Sequence, residues 1–169
     1  TRQKGSSMVE PITVAIHGSY GKMGQEMLMG LCESTVTKVV GVADQRVESA
    51  NQSLPDGSGL VPSTSNITSL LDICNPQVVI DFTNSLGALA AVRASALKGV
   101  NIVIGSTGLG KSDLNEIKSL CKEYAVGVVI APNFALGAVL LTHLARQVAR
   151  FFQYVDIVEM HHEAKIDAP

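Results

Sequence analysis

Short apolar runs alternate along the chain with segments whose hydrophobic residues recur at helical spacing. Ile12 to His17 is a β-branched run that stops at Gly18, and Lys22 to Glu33 follows with Met23, Met27, Leu28 and Leu31 on one stripe. The pattern predicts strand, tight glycine turn, helix. Val36 to Ala43 is a second apolar run, closed by Asp44. The polar Gly/Pro/Ser-rich stretch Gln45 to Ser65 predicts a surface excursion with a short strand at Leu60 to Pro62. Ile67 to Ile73 reads as a short helix ended by Asn75 and Pro76, and Val78 to Phe82 as the next buried strand. Ser85 to Lys98 is Ala/Leu-rich and stops on Gly99, ahead of a strand at Ile102 to Ile104. Ser112 is placed to cap a helix running to Tyr124, with Leu114, Ile117, Leu120 and Cys121 inward, and Val126 to Ile130 completes the series.

Strands alternating with helices predict the α/β class, a doubly wound parallel sheet. Ala131-Pro132-Asn133 breaks the alternation. A longer helix, Gly137 to Phe152, follows it with Leu140, Leu144, Val148 and Phe151 as its stripe, and then a strand from Val155 to Met160 that runs into His161-His162. The expected organisation is a polar lead at 1–10 ahead of a start at Met8, a first domain at 11–132 and, at 133–169, the start of a second α+β domain. That last segment falls below the roughly 40 residues that usually enclose a core, so the second domain is expected to be incomplete.

Composition narrows the choice of function. Of the 169 residues, 46% are hydrophobic, only 4% are aromatic and 15 are glycines, which suits a sheet buried under helices and excludes a disordered chain. Thirteen Lys and Arg against fifteen Asp and Glu give a net charge of −2, without the basic stripe that nucleic-acid binding needs. Cys32, Cys74 and Cys121 form no C-x-x-C pair, so no zinc site or disulfide framework is indicated, and a reduced, cytoplasmic protein is expected. The apolar stretch from Phe134 to Leu141 is far short of a membrane span.

Gly18-Ser19-Tyr20-Gly21-Lys22-Met23-Gly24 lies between a predicted strand and helix, where glycines bring backbone N–H groups against a pyrophosphate at the positive end of the helix. The middle Gly of the usual G-x-G-x-x-G is displaced to Gly21. Asp44, 20 residues past Gly24 and just after the second strand, stands where an acid meets the ribose hydroxyls of NAD. Together they predict a Rossmann-type dinucleotide-binding domain. Arg46 is either a receiver for the 2′-phosphate of NADP or a solvated surface charge, so the cofactor is NADH or NADPH.

Ligands of such sheets lie beyond the carboxyl ends of the strands, where the chain carries Phe82-Thr83, Gly105-Ser106-Thr107-Gly108 and Pro132-Asn133-Phe134. Glu159-Met160-His161-His162-Glu163-Ala164-Lys165-Ile166-Asp167 packs two imidazoles, a Lys and carboxylates together, a composition suited to proton transfer and carboxylate anchoring. Adjacent histidines on a strand point to opposite faces and do not readily share a metal ion. The rival reading is a solvated polar hairpin.

These segments, in this order, resemble the dihydrodipicolinate reductases. The resemblance rests on Gly18 to Gly24, IDFT at Ile80 to Thr83, IGSTG at Ile104 to Gly108, APNF at Ala131 to Phe134 and EMHHEAKIDAP at Glu159 to Pro169. Ser106 stands where Thr is more usual, Ala135 where Ser often follows APNF, and the S-G-T that completes the last motif is not reached. The resemblance implies that Gly18, Ser19, Tyr20, Gly21, Lys22, Met23, Asp44, Phe82, Gly105, Ser106, Thr107, Ala131, Pro132, Asn133 and Phe134 hold the nicotinamide cofactor. It also implies His161 and Lys165 as proton donors or acceptors, and His162 and Thr107 as contacts of a dicarboxylate substrate. The implied activity is hydride transfer from NAD(P)H to 4-hydroxy-tetrahydrodipicolinate in lysine biosynthesis, by a homotetramer when full length. The alternatives are a non-catalytic dinucleotide-binding fragment and another Rossmann amino-acid dehydrogenase.

Overall fold

The β-branched run after Pro11 forms β1 (Ile12–His17), and the glycine turn behind it opens directly into α1 (Lys22–Glu33). The chain continues through β2 (Thr37–Ala43), β3 (Asn51–Ser53), β4 (Leu60–Thr64), α2 (Ile67–Cys74), β5 (Val78–Asp81), α3 (Ser85–Leu97), β6 (Asn101–Ile104), α4 (Lys111–Tyr124), β7 (Val128–Ile130) and α5 (Leu136–Ala149). This computed structural model describes residues 10–131, 133–158 and 160. The chain divides into two compact units, Thr1–Ala131 and Pro132–Pro169.

Local chemistry accounts for the helix ends. The Asn66 side chain accepts from the Thr68 and Ser69 N–H groups to start α2, and Asn75 ends it in the left-handed region at φ 44° with its N–H on the Leu71 carbonyl. The Asn84 side chain accepts from Gly87 to start α3. At α4 the expectation of a Ser112 cap is corrected. The helix begins two residues earlier, with Gly110 as its cap residue, because Asp113 reaches back to accept from the Gly110 N–H at 2.8 Å.

The seven strands form one sheet in the order β3-β4-β2-β1-β5-β6-β7, parallel throughout except for β3, which runs antiparallel to β4. β3 escapes a reading by apolar pattern because Asn51-Gln52-Ser53 is wholly polar; pairing with Leu60 to Pro62 at the sheet edge makes it a strand. From β1 the chain builds outward on one side through β2 and β4, then crosses to the other through β5, β6 and β7. That reversal puts a crevice at the carboxyl ends of β1 and β5.

Each face of the sheet carries its own core, as a doubly wound sheet requires. Ala15, Ala43, Val79, Ile102 and Ile104 pack against Leu70, Leu71, Ala88, Val92 and Ile117 from α2, α3 and α4. Their strand neighbours Ile16, Val39 and Val42 face the other way and pack with Leu28 of α1 and Val61 of β4. Two expected inner positions prove exposed: Met23, in the first turn of α1, and Leu114, near the start of α4.

In the second unit, α5 ends at Ala149, so Phe151 lies beyond the helix. The expected strand at Val155 to Met160 is not formed by its described residues, because no strand pairs with them and an isolated extended segment has no ladder to hold it.

Ile104 is fully buried and Ile73 is 60% exposed. Ile104→Ala is expected to cost about 2–5 kcal/mol and Ile73→Ala less than about 0.5 kcal/mol in urea unfolding. Equal losses would contradict the assignment of the core.

Candidate functional site: the crevice at the strand ends

The turn after β1 is shaped by contact distances only glycine satisfies. Gly18 adopts φ +89°, and a Cβ on Gly24 would lie 2.1 Å from the Gly18 carbonyl oxygen, so α1 rests directly on the turn. The Gly18 N–H donates to the Ala43 carbonyl at 2.8 Å and the Gly21 N–H to the Gly18 carbonyl at 3.1 Å. α1 starts from Gly21 with no side-chain cap, which leaves backbone donors of its first turn for an anion.

Asp44 closes the crevice on the β2 side. It is 7% exposed; its Oδ2 accepts from the Tyr20 N–H at 2.9 Å and its Oδ1 from the Arg46 N–H at 3.0 Å and Nε at 3.1 Å. Burial by itself raises its pKa. The hydrogen bonds from the Arg46 side chain, the Arg46 N–H and the Tyr20 N–H, with the Arg46 charge, outweigh it and hold the carboxyl below its ordinary value. The acid expected to meet a ribose is therefore already bound to the glycine turn, and its guanidinium partner is 63% exposed.

A third group was not anticipated from the sequence. Asp81, the last residue of β5, is fully buried. Its Oδ2 accepts from His17 Nδ1 at 2.6 Å, and its Oδ1 from the Ser106 hydroxyl at 2.5 Å and the Thr83 hydroxyl at 3.1 Å. One carboxylate thus ties the ends of β1, β5 and β6. The signal was present as an acid at the end of the apolar run Val78-Val79-Ile80-Asp81, paired in register with the lone imidazole of Ile12 to His17.

An open cleft of about 580 Å³ brings together His17, Gly18, Gly21, Asp44, Arg46 and Phe82. Ser19 is buried beneath the turn with its hydroxyl unpartnered, whereas Tyr20, Lys22 and Met23 are exposed beside it. Phe82 lies so close to Gly105 that a Cβ there would meet the ring at 2.1 Å. Ser106 engages its hydroxyl with Asp81, and Thr107 is exposed. Ala131 extends the β7 end by donating to the Ile104 carbonyl at 3.0 Å. Asn133 and Phe134 belong to the second unit, where the Asn133 side chain accepts from the Ala135 N–H at 2.8 Å. Pro132, His161, His162 and Lys165 lie outside the described residues.

The cradle at Gly18 and Gly24, the uncapped helix start and the Asp44 acceptor form a donor set that fits the diphosphate and ribose of a dinucleotide. No cluster of described His, Cys, Asp or Glu residues is arranged to hold a metal ion. Among the described residues no helix is long and apolar enough to cross a membrane.

Residues 12–134 match the family model described as dihydrodipicolinate reductase, N-terminus. The chain belongs to this family. A 4-hydroxy-tetrahydrodipicolinate reductase of Dehalococcoides mccartyi (strain CBDB1) is 43% identical over 159 residues, which cover 94% of this chain and 60% of that protein. The enzyme of the same name from Moorella thermoacetica is 39% identical over 166 residues, covering 96% of this chain and 61% of its own length. Among solved structures, dipicolinate-bound dihydrodipicolinate reductase from Paenisporosarcina sp. TG-14 superposes with a TM-score of 0.76 at 34% identity, over 94% of this chain and 61% of that one. The chain therefore spans about 60% of the length of these dihydrodipicolinate reductases.

Because folding lowers the Asp44 pKa, its ionised form contributes stability above the unfolded value of about 4, and that contribution disappears as pH falls through the folded value. Asp44→Asn is expected to lower Tm by several degrees at pH 7, with the gap to the unmodified chain shrinking below about pH 4. A gap that stays constant down to pH 3 would contradict the ionic role of Asp44.

Proposed function

We propose that residues 11–132 form the dinucleotide-binding domain of a 4-hydroxy-tetrahydrodipicolinate reductase. In this reading, residues 133–169 begin its substrate-binding and oligomerisation domain. The reaction converts 4-hydroxy-tetrahydrodipicolinate, NAD(P)H and a proton into tetrahydrodipicolinate, NAD(P)⁺ and water, in the lysine and diaminopimelate route. The observation that carries this reading is Asp44 bonded to the Tyr20 N–H of the glycine turn, which sets a ribose acceptor beside a diphosphate cradle. Family membership supplies the substrate class, and the dipicolinate in the Paenisporosarcina structure supports a small dicarboxylate.

The bound nicotinamide supplies a hydride. The Lys22 and Met23 N–H groups in the first turn of α1 would hold the diphosphate, with Gly18, Ser19, Tyr20 and Gly21 shaping the turn against which it lies. Asp44 accepts from the ribose hydroxyls, while Phe82, Gly105, Ser106, Thr107, Ala131, Pro132, Asn133 and Phe134 border the nicotinamide side. His161 exchanges the proton that quenches charge developing on the reduced substrate, with Lys165 as a second donor. His162 and Thr107 hold the substrate carboxylates. Nucleic acid and membrane have no part in this reading, the compartment is the cytoplasm and the full-length assembly is a tetramer.

Arg46 bears on the choice of cofactor. Its guanidinium neutralises Asp44 yet is mostly exposed, so it can leave the carboxylate free for a 2′-hydroxyl or turn toward a 2′-phosphate. Both NADH and NADPH are expected to bind in calorimetric titrations, NADH at least as tightly. Tight NADPH binding without detectable NADH binding would contradict the role of Asp44. In a preparation that turns over, His161→Ala is expected to lower kcat by about 10²–10⁴-fold with cofactor affinity nearly unchanged. An unaltered kcat would remove His161 from the chemistry.

A further inference from the structure

We propose that His17 is a cofactor ligand whose Nε2 donates to a phosphate oxygen of the bound dinucleotide while Asp81 holds the ring from behind. The inference rests on the dinucleotide reading above and assigns to that site a residue outside its glycine turn.

Three observations support it. His17 ends the central strand and leads straight into Gly18, and it lines the same cleft as Gly18 and Gly21. It is the only imidazole among the cleft-lining residues, and its side chain is 12% exposed. Its Nδ1 is taken by Asp81 Oδ2 at 2.6 Å, which leaves Nε2 as the polar atom still able to meet a ligand.

The Asp81 network explains why the ring would be so well oriented. The Thr83 and Ser106 hydroxyls and the Thr83 N–H donate to Oδ1, so the carboxylate is clamped from β5 and β6 before it meets the imidazole. A carboxylate behind an imidazole sets its tautomer and angle, as it does for metal-bound and catalytic histidines. With Nδ1 held by Asp81, Nε2 is the ring atom turned toward a phosphate oxygen. The other charged groups lining the cleft are Asp44 and Arg46, already paired with each other. The diphosphate is the group that places an anion near the glycine turn.

Two substitutions separate ligand from brace. Asparagine can return a donor to Asp81 in place of Nδ1 but is too short to replace Nε2; glutamine can supply the distant donor while giving up the Asp81 bond. The 169-residue chain and its His17→Asn and His17→Gln variants are titrated with ADP and with NADH, alongside thermal unfolding. His17→Asn is expected to keep a Tm near that of the unmodified chain and to lose tenfold or more in affinity for both probes. His17→Gln is expected to recover part of that affinity while losing Tm. Equal affinity in the unmodified chain and His17→Asn would overturn the proposal and leave His17 as a brace between β1 and β5.

If both variants unfold, long-range ¹H–¹⁵N spectra of the unmodified chain decide. Addition of ADP is expected to shift the His17 Nε2 resonance together with the amides of Gly18 to Gly24. Amide shifts at the turn with an unmoved His17 ring would overturn the His17 assignment and leave the dinucleotide reading intact. An unresponsive turn would overturn both.

Discussion

A buried carboxylate survives in a protein core only when donors replace the water it has lost, and Asp81 depends on that condition. It is fully buried at the end of β5, and its partners come from three neighbouring strand ends: His17 as the last residue of β1, Thr83 after β5 itself and Ser106 after β6. Loss of any one partner leaves the carboxylate under-satisfied, so the loops leaving β1, β5 and β6 are held in a common register. The crevice of a doubly wound sheet arises from topology. Its floor here is set by this network.

The glycine turn imposes a second, steric constraint. With Gly24 against the Gly18 carbonyl, α1 stands as close to the turn as backbone allows, and its first N–H groups are left to face an anion. Asp44 then bonds to Tyr20 within the turn, so the end of β2 and the glycine turn form one unit. Packing on both faces holds these parts in place, with Ala15 and Ile16 of β1 pointing to opposite cores.

Much of this was legible in the residues themselves. Ile12 to His17 and Lys22 to Glu33 match β1 and α1 to the residue, because β-branched runs and a helical stripe divided by glycine leave little freedom. β3 was not legible, since its strand character comes from pairing with β4 and not from its own polar residues. The Ser112 cap failed because Asp113 competes better for the helix start. At the site, Gly18 to Gly24 and Asp44 could be read from spacing, whereas His17 and Asp81 could not: each ends an apolar run, and only the register between β1 and β5 brings them together. The Ser106 hydroxyl donates to the same carboxylate, a contact that spacing along the chain does not reveal.

Everything proposed for this chain depends on the crevice between Gly18, Asp44 and Asp81 being a dinucleotide site. A crystal structure of the chain grown with NADH tests it most directly. The expected structure has the diphosphate against the backbone of Gly18 to Gly24 and the adenosine ribose hydroxyls on Asp44, with Arg46 displaced from that carboxylate. A dinucleotide bound away from this crevice, with Asp44 and Arg46 still paired, would contradict it.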